Sequence, residues 1–197
     1  MKKKLILASK SPRRREILEN LGLSFEIVTA DTDESTALCD PCALVEELSA
    51  RKGIAVRDAL IAQGRDLSGT VILASDTVVA TDSEILGKPA DADDARRMLG
   101  LLSGRSHRVV SGVCLVFGDH VSVGHEVTEV EFDEMDTDTV DRYIQSENPY
   151  DKAGAYAIQG RASAYIRGIR GCYFNVVGLP VHRLATLWRE LFGENFL

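Results

Sequence analysis

The 197-residue chain lacks any uninterrupted apolar run near the roughly 20 residues needed to cross a bilayer, which excludes a membrane-spanning helix. A secretory leader is not expected either. Only Leu5 to Ala8 separate Lys4 from the polar Ser9-Lys10, against an apolar core of roughly 7 to 15 residues in such leaders, so a cytoplasmic protein is expected. An overall excess of positive charge is missing: 23 Lys and Arg face 30 Asp and Glu, a formal net charge of −7. That balance argues against broad, sequence-independent nucleic-acid binding, which needs a basic face able to displace counterions. The four cysteines supply no disulfide framework in a reducing compartment. Cys39 and Cys42 have C-x-x-C spacing without a second ligand pair, and the intervening Asp40-Pro41 reads as a helix N-cap and first helical residue. Cys114 and Cys172 are expected as small buried hydrophobes. His107, His120, His125 and His182 show no metal-ligand spacing, and His107, just past a helix end, is expected to bond a backbone carbonyl.

What is present is an ordinary globular composition, 45% hydrophobic and 27% charged, without repeat or linker. A single domain over residues 1–197, with a cleft between two lobes, is expected. Lys4 to Ala8 reads as a buried strand, and Ile17, Leu18 and Leu21 fall at helical spacing before Gly22. A strand around Phe25 to Thr29, a helix from Pro41 to about Gly64 and a strand from Thr70 to Ala80 follow. Asp91 caps a helix carrying Ala95, Met98, Leu99 and Leu102 at i, i+3, i+4 and i+7. Val109 to Phe117 and Val121 to Phe132 form a hairpin around Gly118-Asp119-His120. Asp136 caps a helix with Val140, Tyr143 and Ile144 on one face. Asp151 to Gly178 reads as irregular, with a strand near Tyr165 to Ile169. A last helix from about Pro180 presents Leu184, Leu187, Trp188 and Leu191. Strands alternating with helices, plus a hairpin, predict an α/β mixed sheet with flanking helices.

Three segments carry chemistry. Lys2, Lys3, Lys4, Lys10, Arg13, Arg14 and Arg15 place seven basic residues in the first 15 positions. Within them, Ser9-Lys10-Ser11-Pro12-Arg13-Arg14 joins a strand end to a helix start, where free N–H groups and the helix dipole already favour an anion. Guanidinium forks there build a phosphate clamp. Asp76 interrupts the apolar strand Ile72 to Val79, and a carboxylate buried without a partner is costly, so the residue is either paired or chemically active. Lys88 sits in the rigid Gly87-Lys88-Pro89 corner, while Lys52 lies on a helix and alone reads as surface.

Ile6-Leu7-Ala8-Ser9 with Ser11-Pro12-Arg13-Arg14, Ala74-Ser75-Asp76-Thr77-Val78, Leu86-Gly87-Lys88-Pro89, Ser103-Gly104-Arg105-Ser106-His107, Asp151-Lys152-Ala153-Gly154-Ala155-Tyr156 and Val177-Gly178-Leu179-Pro180 resemble, in order and over nearly the whole chain, the Maf family of nucleoside triphosphate pyrophosphatases, also named for inhibition of septum formation. The resemblance implies an inosine-triphosphate-pyrophosphatase-like fold, a homodimer, a divalent cation (Mg²⁺ or Mn²⁺) and cleavage between the α- and β-phosphates. It makes Asp76 the proton acceptor, places Arg13, Thr77 and Gln159 at positions tied to substrate choice, and aligns Asp33, Glu34, Lys52 and Lys88 with acidic and basic site residues. Ser9, Ser11 and Arg14 join the substrate-binding set, and Glu34, with Asp33 or Asp76, offers the hard oxygen ligands for the metal. The stretch Ala155 to Gly160 resembles the dTTP/UTP-preferring branch, although Ala157 and Cys172 depart from the family's usual residues.

Two other readings are open on the sequence. Asp76 followed by Thr77 resembles an aspartyl-phosphate nucleophile, which would release orthophosphate stepwise. A non-enzymatic regulator of cell division that binds a nucleotide or a protein is the reading from another class, disfavoured by a carboxylate set among phosphate-binding cations.

Overall fold

The computed structural model describes residues 3–197, so Lys2 of the basic opening lies outside the described residues. Seven strands make one mixed sheet: β1 (Lys4–Leu7), β2 (Phe25–Ile27), β3 (Thr70–Ala80), β4 (Ile85–Leu86), β5 (Ser106–Phe117), β6 (His120–Phe132) and β7 (Ile166–Arg170). Their order is β2-β1-β3-β5-β6-β7, with β4 paired to β3 beside this path. The helices are α1 (Pro12–Asn20), α2 (Pro41–Ala62), α3 (Ala92–Leu102), α4 (Thr137–Glu147), α5 (Tyr173–Val177) and α6 (Val181–Phe192). The mixed α/β architecture is the one expected. No helix among the described residues is long and apolar enough to cross a membrane.

The chain divides into two compact units assembled from interleaved stretches. The first takes the chain up to Asp76, then Ser111–Glu126 and Gly178–Leu197; the second takes Thr77–Val110 and Val127–Val177.

In the first unit β1 runs parallel to both β2 and β3, pairing Leu5 with Phe25 and with Val71. Ile6, Ala8, Val56, Leu60, Ile72, Ala74, Cys114 and Val116 form a core cluster there. Two glycines let α2 approach the sheet more closely than any side chain would permit. A Cβ on Gly53 would meet Val116 Cγ2 at 2.9 Å, and one on Gly112 of β5 would lie 2.2 Å from the Val45 carbonyl oxygen. Asp40 starts α2 by accepting from the Ala43 N–H at 2.8 Å, with Pro41 in the first turn. Lys3 lies over the Phe192 ring at 4.2 Å, where the C-terminal helix α6 packs Leu184, Leu187 and Trp188 inward.

In the second unit Asp91 and Asp136 cap α3 and α4 by accepting from Asp94 N and Thr139 N. The predicted stripes Ala95, Met98, Leu99, Leu102 and Val140, Tyr143, Ile144 are all buried in one cluster with Val130, Phe132 and Tyr156. β5 and β6 continue from this unit into the first, where the Gly118-Asp119 turn, with Gly118 at φ +56°, joins them, and so short a connection makes them antiparallel neighbours.

The structure departs from expectation at four places. β4 is a two-residue strand paired antiparallel with β3, too short to leave a periodic signal. Tyr173–Val177 is helical within the stretch expected to be irregular. Cys114 is fully buried as expected, but Cys172 is only half-buried, its N–H and carbonyl both bonded to Thr128 Oγ1. His107 meets the Tyr156 hydroxyl at 2.7 Å instead of a backbone carbonyl, because the ring points into the core from its strand.

Candidate active site

Asp76 is the last residue of the first stretch of the first unit and a buried member of β3, whose other residues are buried apart from the half-buried Thr77. Its Oδ1 lies 2.5 Å from Lys52 Nζ, which also stands 3.0 Å from Glu34 Oε1. One ammonium therefore bridges two carboxylates. A lone charge at this depth would cost several kcal/mol, roughly, and Lys52 offsets that cost for Asp76. Lys52 reaches it because α2 lies so close to the sheet at the neighbouring Gly53.

Glu34 belongs to an exposed loop that α2 fastens down. Arg51 Nη1 donates to the carbonyls of Asp33 (3.1 Å) and Ser35 (2.8 Å), and its guanidinium also pairs with Glu47. Sequence reasoning missed Arg51, since Glu47 and Arg51 at i, i+4 look like any surface helix pair. Asp33 turns its carboxylate into its own loop, where Oδ1 accepts from the Ser35 N–H (2.9 Å) and hydroxyl (2.6 Å). Those bonds hold its carboxyl below the ordinary range.

The basic turn is built around Ser9, a buried residue at the end of β1. Its hydroxyl oxygen accepts from the Ser11 N–H (3.2 Å) and from Arg14 Nη1 (3.1 Å), which leaves its own proton to donate. Ser11 occupies the N-cap position of α1 without making a side-chain cap bond. Arg14 Nε donates to the Gly178 carbonyl at 2.8 Å, and the buried Ser75 hydroxyl donates to the same oxygen at 3.1 Å. Arg14 thus ties the turn after β1 to β3 and to the loop before α6. Desolvation lowers its pKa to about 10; the carboxylates of Asp76 and Glu34 oppose that and neighbouring Arg13 adds to it. Arg14 therefore lies within electrostatic reach of Asp76, Arg13 and Glu34.

No group of three or more His, Cys, Asp or Glu side chains is arranged to hold a metal ion among the described residues. The donor set nonetheless suits a hard divalent cation. Glu34 and Asp76 already converge on one positive charge, and Mg²⁺ typically takes one or two carboxylates and completes its shell with water and substrate phosphate oxygens. Asp33, engaged with Ser35, does not join this pair.

Thr77, Lys88 and Gln159 belong to the second unit. Lys88 is exposed in the corner after β4, and Gln159 is exposed beyond Tyr156. The Gly154 N–H donates to the Gly87 carbonyl at 3.0 Å, joining the segment that leads to Gln159 with the corner that carries Lys88.

The comparisons with known proteins agree with these motifs. Residues 4–191 match the family model described as Maf-like protein. A dTTP/UTP pyrophosphatase of Symbiobacterium thermophilum is 48% identical over 93% of this chain and 91% of its own length. Proteins of the same name from Pelotomaculum thermopropionicum and Chromobacterium violaceum are 43% and 46% identical, over 99% and 95% of this chain and 100% and 94% of theirs. The solved structure of the Staphylococcus aureus Ham1 protein is 14% identical, covers 66% of this chain and 72% of its own, and has a TM-score of 0.47, too loose an overlap to carry a fold assignment. A family model matching residues 4–191 and relatives above 40% identity over nearly the full chain mean that this chain belongs to the Maf family.

Proposed function

We propose that the protein is a nucleoside triphosphate pyrophosphatase that hydrolyses dTTP and UTP to the nucleoside monophosphate and pyrophosphate, with Asp76 as general base. The observation that carries this reading is the carboxylate of Asp76 on an apolar strand, paired with Lys52 beside Glu34 and the basic turn. The names of relatives at 41–48% identity support the substrate class.

Hydrolysis at the α-phosphorus needs an oriented water and positive charge against the triphosphate and the departing pyrophosphate. Asp76 orients the water and accepts its proton. Lys52, bridged between two carboxylates, has donors to turn toward a phosphate oxygen. Ser9 and Ser11 offer hydroxyl donors at the start of α1, and Arg13 adds charge in its first turn. Arg14 serves this arrangement chiefly by holding Ser9 and Gly178 in place. Glu34 and Asp76 would hold the divalent cation, Mg²⁺ or Mn²⁺, which when bound neutralises phosphate charge. For Lys88 the proposed role is a phosphate contact. For Thr77 and Gln159 it is substrate choice: thymine and uracil present an N–H flanked by two carbonyls, and a Gln amide offers both an acceptor and donors to that edge.

The test is a nucleotide panel with Mg²⁺ or Mn²⁺, products identified, on the wild type and on Asp76→Asn. Pyrophosphate from dTTP and UTP, lost by about 10²-fold or more in a variant that still unfolds cooperatively, is the expected outcome. Stepwise orthophosphate would favour the aspartyl-phosphate reading, and near-normal turnover by Asp76→Asn would refute the assignment of the base.

A further inference from the structure

We propose that His107 is a positioning residue for base selection: through its hydrogen bond to the Tyr156 hydroxyl it sets the segment 153–160 that presents Gln159. The inference rests on the reading of Gln159 above and adds residues that this reading does not use.

His107 is buried on β5, its Nε2 2.7 Å from the Tyr156 hydroxyl. Its ring stands edge-on to Phe132 (centroids 5.1 Å, 78°) and to Tyr156 (5.4 Å, 84°), and Phe132 and Tyr156 pack edge-on at 4.8 Å. His107 Nδ1 is buried with no hydrogen-bond partner among the described residues. A wholly apolar filling of this space would leave no such orphan, so the polar pair is retained at a cost to stability. What the pair supplies in exchange is a directed contact, and Tyr156 is where that contact is needed.

The backbone just before Tyr156 is strained. Gly154 has φ +66° and Ala155, which carries a Cβ, has φ +61°. A left-handed alanine costs about 1 kcal/mol and persists only where its surroundings hold it. Two contacts do so. On one side the Gly154 N–H is bound to the Gly87 carbonyl, with Val79 Cγ2 2.8 Å from where a Gly154 Cβ would sit. On the other, the Tyr156 ring is buried and its hydroxyl is pinned by His107. Directly after it, the Gly160 N–H donates to the Ala157 carbonyl at 3.1 Å, closing a tight turn in which Gln159 is the third residue. The place of the Gln159 amide therefore follows from where Tyr156 is fixed, and His107 fixes it.

The experiment uses Tyr156→Phe, which removes one oxygen and keeps the ring, together with His107→Phe, His107→Gln and the double variant. Two readouts are taken: kcat and KM on dTTP, UTP, dCTP and GTP, and amide hydrogen exchange of residues 157–160 in the nucleotide-free protein. The expected result is faster exchange in that turn and a loss of about tenfold in preference for dTTP and UTP, arising mainly in KM, in both Phe variants. The double variant should be no worse than either single one, because the two residues act through one bond. His107→Gln, which can still bond the hydroxyl, should recover part of the preference. Equal losses on all four nucleotides, or unchanged exchange, would reduce the pair to core packing and overturn the proposal. A wild type that hydrolyses none of these nucleotides defeats the proposed function instead, and exchange alone then decides whether the pair positions the turn.

Discussion

Lowering the pH should destabilise the protein through His107, and the size of the effect follows from where the ring sits. Burial among Phe132 and Tyr156 lowers its pKa from 6.5 to about 4. The folded protein thus refuses a proton that the unfolded chain accepts. Between pH 6.5 and 4 the unfolded state binds more protons, so stability rises with pH and falls on acidification across that window. At about 1.4 kcal/mol per pH unit, the full window amounts to about 3 kcal/mol. For a chain of this length that corresponds to roughly 6 to 12 °C in Tm. The assay is urea unfolding of the wild type and of His107→Gln at pH 7, 6, 5 and 4.5, with m-values compared to verify that the unfolded states match. Groups common to both proteins cancel in the difference. Wild-type stability should fall relative to the variant by about 1 kcal/mol per unit below pH 6. Parallel pH profiles would refute the reasoning, for they would mean that the folded protein protonates His107 as readily as the unfolded chain.

Three further outcomes are expected. Arg14→Lys loses the fork that serves Ser9 and Gly178 at once, and should cost about 1.5 to 3 kcal/mol in urea unfolding, whereas a pure phosphate contact would leave stability unchanged. Gly112→Ala drives a Cβ into the Val45 carbonyl and must push α2 off β5; it should cost about 2 kcal/mol or more and reduce turnover by displacing Lys52, while Gly100→Ala, with open space at its Cβ on the exposed face of α3, should stabilise by about 0.5 to 1 kcal/mol. Gln159→Glu should lower kcat/KM for dTTP and UTP more than for other nucleotides, because an ionised carboxylate can only accept and leaves a base carbonyl facing charge; equal losses on every nucleotide would make Gln159 a loop brace.

What the sequence by itself determined was local. Asp40-Pro41, Asp91 and Asp136 start their helices through bonds to residues three positions on, and the apolar stripes of α3 and α4 are periodic within one helix, so both were legible without the fold. Asp76 was legible for a similar reason, since a carboxylate inside Thr70–Ala80 contradicts its own strand. The partners of those residues belong to tertiary structure. Lys52 reads as helix surface until Gly53 and Gly112 bring α2 close enough for its ammonium to reach Asp76, 24 residues away. Arg14 reads as one more cation of a basic turn until its guanidinium meets a carbonyl 164 residues on. His107 and Tyr156 lie 49 residues apart, in segments with no shared pattern. Hydrogen-bond geometry is met to within a few tenths of an ångström, and such distances between remote segments are set by sheet register and helix docking, which no local spacing encodes.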